Sequence, residues 1–228
     1  MIEGTAAARR RMQAHVARWM LACLLALPVL AQAQGASPAP ATAGDAKTIL
    51  VMGDSLSAGY GMSAAEGWVA LLQQRLRREA PGWRVVNASI SGETSAGGAS
   101  RIAQAVVREQ PDVVIIALGA NDGLRGLPLA DARRNLARMI GASQHVGAQV
   151  LLVGMRMPPN LGADYTRGFE DNYRLLAETF DTALLPFLLA PVAEDRANFQ
   201  DDNLHPTVEA QPKILDHVWP ALRPLLAD

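Results

Sequence analysis

Ser55 stands just past a short apolar run, Thr48-Ile49-Leu50-Val51-Met52, with Gly53-Asp54 between them. The pattern is a buried strand that delivers a serine into a glycine-bearing turn, a placement suited to a nucleophile. A serine hydroxyl attacks a carbonyl only when a base takes its proton and donors receive the charge developing on the carbonyl oxygen. Beyond residue 33 the base has three candidates, His145, His205 and His217. His145 reads as a helix C-terminal residue ahead of Gly147, favourable there against the helix dipole, and His217 as a surface residue of a last helix. His205 has a carboxylate three residues before it, Asp202, and a proline, Pro206, directly after. At that spacing a turn can bring the carboxylate to one imidazole nitrogen and leave the other facing Ser55. Asp201 is the nearest rival for the role. Between serine and histidine lie two further signals, Ser91-Gly92-Glu93-Thr94 and Gly119-Ala120-Asn121-Asp122, each in a loop after a strand-like run.

Groups so far apart in sequence need a fold that gathers them. From Lys47 onward, strand-like and helix-like stretches alternate. Thr48 to Met52, Arg84 to Ala88, Val113 to Leu118, Val150 to Val153 and, more weakly, Ala183 to Phe187 are short apolar runs rich in β-branched residues, the signature of parallel strands buried on both faces. Apolar residues recur at helical spacing in Trp68 to Glu79, Ser100 to Glu109, Leu129 to Gln144 and Tyr165 to Phe180. A last helix fits Val208 to Leu226, bent or restarted near Pro212 and Pro220. The expected fold class is α/β, a three-layer α/β/α sandwich on a five-stranded parallel sheet. Right-handed crossovers that reverse near the first strand give the flavodoxin-like order 2-1-3-4-5. In that order the loops after strands one, two and three converge at one sheet edge, so Ser55, Gly92 and Asn121 can meet. Singly, each has a plainer reading: Ser55 as a helix N-cap, Gly92 as a turn residue, Asn121 as a turn or cap residue.

It is the set, in order, that carries information. The phrases GDSLSAGYGM, VVNASISGETS, GANDGLRG, LLPF and DDNLHP resemble the SGNH (GDSL) hydrolase superfamily, and within it the bacterial thioesterase I / lysophospholipase L1 / arylesterase branch, over essentially everything from Lys47 to the C-terminus. One departure is mild: Ala120 stands where glycine or threonine is more usual, and it too is small. The resemblance implies the fold above and a serine esterase. Its Asp-x-x-His pattern selects Asp202 as the residue orienting His205, leaving Asp201 solvated. It also implies that the backbone N–H groups of Ser55 and Gly92, with the Asn121 side-chain amide, hold the oxyanion. Asp54 reads as structural, bonding within its loop.

The first 33 residues have a different character. Arg9, Arg10, Arg11 and Arg18 precede an apolar run, Trp19 to Ala31, and Ala31-Gln32-Ala33 is a small-x-small cleavage site, the pattern of a secretory signal peptide. The run is short of the ~20 residues a membrane-spanning helix needs. Residues 34 to 46, rich in Ala, Pro, Ser and Gly, read as a disordered leader, and 47 to 228 as the hydrolase domain. Removing four arginines and one glutamate with residues 1 to 33 takes the net charge from −1 to −4. A mildly acidic mature chain is a poor nucleic-acid partner and has no integral membrane segment. The single cysteine, Cys23, leaves with the signal, so the exported chain must hold together by its core; the 195 residues that follow suffice for one domain. The expected location is periplasmic, with secretion as the alternative.

No His/Cys/Asp/Glu cluster has metal-ligand spacing and no glycine-rich phosphate loop occurs, so neither metal nor cofactor is implied. The expected partner is a small acyl ester or thioester, with lysophospholipids and aryl esters implied by the resemblance. Leu124, Met157, Pro158 and Leu161, with Leu127, Met155 and Pro159, fall on loops after strands three and four and either line an acyl groove or pack the loops. Arg156 has two readings as well, a contact for a substrate phosphate or a partner for an acidic neighbour. Two other classes remain: a carbohydrate O-deacetylase using the same machinery, and a catalytically silent binding module, which should lack part of the triad.

Overall fold

The computed structural model describes residues 46–227. The expected signal peptide and all of the leader but Ala46 lie outside the described residues. Five strands, β1 (Lys47–Gly53), β2 (Trp83–Asn87), β3 (Val113–Ala117), β4 (Gln149–Val153) and β5 (Ala183–Leu185), form one parallel sheet in the order β2-β1-β3-β4-β5. This is the flavodoxin-like order expected from the sequence. Two one-turn helices, α1 (Ser55–Ala58) and α4 (Ala120–Leu124), begin just beyond β1 and β3; the long helices are α2 (Trp68–Glu79), α3 (Ser95–Glu109), α5 (Leu129–His145), α6 (Ala163–Phe180) and α7 (Gln211–Leu222).

Side chains alternate across a strand, and the central strands exploit this to build two cores. Ile49, Val51, Val113 and Ile115 pack with Trp68, Leu72 and Leu76 of α2 and Ile214, Leu215 and Val218 of α7. Leu50, Met52, Val114 and Ile116 turn to the other face, against Ile102 of α3, Leu136, Met139 and Ile140 of α5, and Phe169 and Tyr173 of α6. Each fully buried leucine or isoleucine contributes about 1.5–3 kcal/mol, and β3 is buried along its whole length. Burial on both faces holds fully for β3 alone; β1 and β4 each have one less buried end residue, and β2 and β5, at the sheet edges, are only part-buried.

Two helices depart from the sequence pattern by more than two residues, the remaining element ends shifting by at most two. The helix expected from Ser100 starts five residues earlier, at Ser95, where the Thr94 side chain accepts a hydrogen bond from Gly97 N and caps it. The last helix runs through Pro220 and breaks after Leu222; a 3-10 turn precedes it at Val208–Ala210 and another, Arg223–Leu226, follows with Pro224 in its first turn. Among the described residues no helix is long and apolar enough to cross a membrane.

Candidate active site

β1 ends at Gly53, and Asp54 caps the one-turn α1 by accepting a hydrogen bond from Leu56 N at 3.0 Å. Ser55 is therefore the first residue of that turn, not its cap. The tight bend suits Gly53: a Cβ there would sit 2.7 Å from Ser57 and 2.8 Å from the Ser89 hydroxyl.

His205 arrives from the far end of the chain, on the loop between β5 and α7. Residues 199 to 206 fold back on themselves: Phe199 pairs with Pro206, Gln200 N donates to His205 O at 2.8 Å, and Asn203 takes a left-handed φ of 60°. Gln200 Nε2 reaches across to Tyr60 O at 2.9 Å and Pro206 O at 3.0 Å, tying this loop to the one after α1. Within the turn, Asp202 Oδ1 accepts from Leu204 N and His205 N, and Oδ2 lies 2.6 Å from His205 Nδ1. On the opposite side of the ring, His205 Nε2 is 2.9 Å from Ser55 Oγ. Nδ1–H donating to the carboxylate leaves Nε2 free to accept from the serine hydroxyl. The His205 N–H, then its ring, then the Leu204 N–H hold the Asp202 carboxyl down to about 2. Asp201 is exposed. The Tyr60 ring leans on the imidazole, 4.4 Å between centroids and tilted by 36°.

Gly92 and Asn121 complete the cluster from the loops after β2 and β3. Gly92 has φ +78°, the left-handed region that favours glycine. Asn121 Nδ2 donates to Glu93 O at 3.0 Å and lies 3.5 Å from Asp54 Oδ2. Among the described residues, neither the Ser55 nor the Gly92 N–H has a hydrogen-bond acceptor in the protein. Asp54 is almost fully buried, and burial pushes its carboxyl up to about 6 against the opposing Leu56 N–H and the nearby His205.

These groups open onto a cleft of about 660 Å³. Leu124, Met157 and Pro158 line it, as do Met155 and Pro159. Leu161 does not; it ends the 3-10 turn Pro159–Leu161 and is half-buried, packed against the core on the α6 side of the sheet. Leu127 also lies outside the cleft wall, exposed. The sequence reading missed Tyr60, Phe187, Leu189, Ala193, Phe199 and Leu204, which supply much of the apolar wall. The aromatics at 60, 187 and 199 were the only available signal. Arg156 pairs with Glu170 at 3.2 Å and lies over the Phe187 ring at 5.3 Å, so its acidic-neighbour reading is realised. His145 ends α5 as expected. His217 is not a free surface residue: it is half-buried, with Nε2 3.0 Å from Phe187 O.

The chain is 49% identical over 181 residues to the esterase TesA of Pseudomonas aeruginosa, covering 79% of this chain and 90% of that protein. It is 41% identical over 181 residues to the thioesterase 1/protease 1/lysophospholipase L1 of Escherichia coli K12, covering 79% and 86%. The crystal structure of the psychrotrophic esterase EstA from Pseudoalteromonas sp., inhibited by monoethylphosphonate, superposes with a TM-score of 0.76 at 38% identity, covering 80% of this chain and all of that one. Residues 51–211 match the GDSL-like lipase/acylhydrolase family, and with this fold, this cleft and these relatives the chain belongs to it.

Proposed function

We propose that this ester hydrolase cleaves acyl esters and thioesters, lysophospholipids and aryl esters among them, by two-step acyl transfer with Ser55 as nucleophile. The observation that carries the reading is the line of contacts from Ser55 Oγ through His205 to Asp202, 2.9 and 2.6 Å long. Nε2 of His205 takes the Ser55 proton as Oγ attacks the carbonyl carbon, and Asp202, ionised throughout the working range, stabilises the imidazolium. The charge on the carbonyl oxygen is received by the Ser55 and Gly92 N–H groups and by the second hydrogen of the Asn121 amide, which exchanges its long 3.5 Å contact with Asp54 Oδ2 for the oxyanion while the first stays on Glu93 O. Collapse expels the alcohol or thiol, protonated by His205. Water then attacks the acyl-serine with His205 again as base and releases the acid.

The apolar wall of Met155, Met157, Phe187, Leu189 and Phe199 favours an acyl chain over an acetylated sugar. The same reading puts the mature enzyme in the periplasm after loss of residues 1–33, supported by the arginines, apolar run and cleavage triplet of the N-terminus.

Ser55→Ala should lower kcat on a nitrophenyl butyrate by about 10⁴–10⁶, with thermal melting unchanged. An organophosphonate should label Ser55 stoichiometrically in the wild type and not in the variant. Retention of a tenth of the activity by the alanine variant would remove Ser55 from the mechanism.

A further inference from the structure

The oxyanion site proposed above is divided between two loops. Gly92 follows β2 and Asn121 follows β3, and these strands are not neighbours: β1 lies between them. No ladder joins the two strands directly, so the sheet relates the two donors only through β1, and the loops that carry them need a tie of their own. A donor constellation is effective only if held to a fraction of an ångström, and a 1 Å misplacement costs about 10²-fold in rate.

What joins the loops is α4 and the residue that ends it. Arg125 donates to Gly92 O at 3.1 Å, and Asn121 donates to Glu93 O at 3.0 Å. Asp122 accepts from Ser95 N at 2.7 Å through Oδ2 and from Ser95 Oγ at 2.5 Å through Oδ1. Three residues of one short element thus grip three positions of the loop running from Gly92 into α3. The Arg125 contact is exposed to water and weak on that account. The Asp122 contact is buried, with Asp122 3% and Ser95 0% exposed. The Ser95 hydroxyl is fixed from a third side by Asn135 Nδ2 of α5 at 3.0 Å. Both carboxylate oxygens bond to atoms of a single residue, so a direction as well as a separation is imposed. A buried carboxylate with no role would be a standing cost to the fold.

We infer that Asp122, with Ser95 as its partner, is a positioning residue that sets the Asn121 amide and the Gly92 N–H at the separation the transition state requires. It is absent from the cleft wall, so it acts through its neighbours and not on substrate. This rests on the oxyanion reading above and goes beyond it.

The test uses the purified enzyme with a nitrophenyl butyrate, comparing wild type with Ser95→Ala, Asp122→Asn, Asn121→Ala, the Asn121→Ala/Asp122→Asn double variant and Ser55→Ala. Ser95→Ala removes one hydroxyl and should fold even where Asp122→Asn does not. Displaced donors affect the transition state and not ground-state binding. The expected result is therefore a fall in kcat of about tenfold for Ser95→Ala and about 10²-fold for Asp122→Asn, with KM within twofold of wild type. In the Asn121→Ala background the Asp122→Asn loss should shrink to under about a third of its wild-type size, because one of the two groups being positioned is gone. Unchanged kcat with lowered melting temperature in Ser95→Ala would make the pair merely structural and overturn the inference. Losses that multiply fully in the double variant, or that appear in KM alone, would overturn it too. Should Ser55→Ala remain active, the reaction scheme itself fails; an inactive Ser55→Ala beside an unaffected Ser95→Ala refutes only the positioning role.

Discussion

Two aspartates in the site face opposite demands. Asp202 sits in an open turn and is kept ionised by three N–H donors, so it can orient His205 at any pH above about 4. Asp202→Asn should leave the turn folded but favour the wrong imidazole tautomer, lowering kcat by up to about 10⁴ at neutral pH, whereas Asp201→Asn, on an exposed neighbour, should cost under tenfold. Steady-state kinetics on the two variants decides between them; a larger loss at residue 201 would reassign the orienter. Asp54 is buried beside the nucleophile, and its carboxyl is raised from 3.8 to about 6. A raised acid is protonated more readily in the folded than in the unfolded chain. The cost of ionising it is absent below pH 4, grows between pH 4 and 6, and is complete above. Its size is about 3 kcal/mol, since one pH unit corresponds to ~1.4 kcal/mol. Denaturant titrations of wild type and Asp54→Asn should show the variant gaining about that much relative to wild type on going from pH 4 to pH 8, whatever constant change the amide introduces. A pH-independent difference would mean that Asp54 titrates normally.

At the scale of elements, the start of α3 shows where sequence and structure part. The helical spacing read from the sequence begins at Ser100, yet Gly97 and Gly98 lie inside the helix. The reason is tertiary: a Cβ on Gly98 would run into Leu118 and lie 2.7 Å from Met139 Sδ. In an exposed helix Gly→Ala gains about 1 kcal/mol. Here the overlap should win, and Gly98→Ala should cost ~1–3 kcal/mol, read from the urea midpoint. The five strands and their order were legible because each depends on local pattern plus one topological rule; Ser55 and His205 stood out by their neighbours, and Asp202 was chosen over Asp201 by the family resemblance. The cleft wall was not legible. Tyr60 lies in the loop after α1 and Phe187, Phe199 and Leu204 on the long connection from β5 to α7, and nothing local separates a loop residue facing the cleft from one, such as Leu161, packed against the core. The division of the oxyanion loops by β1 follows from the expected strand order, but the buried Asp122 bridge across it exists only once the strands are assembled.

For the whole molecule, β1 opens at Lys47, and the proposed cleavage site after Ala33 lies well before it. Protein recovered from the periplasm should begin at Gln34 when its N-terminus is sequenced, and Ala33→Leu should leave unprocessed chain; a mature start beyond Lys47 would cut into β1 and contradict the domain boundary. The fold has a further consequence for the history of each copy. Ser55 leaves the first strand to be laid down, and His205, the group it touches, lies 150 residues later in the chain, on the last loop before the closing helix. A chain emerging from the ribosome therefore carries its serine for most of its passage with no His205 to activate it. The protein is inert in transit and becomes a hydrolase only when its two ends have found each other, so that the appearance of activity is itself a report that folding has been completed.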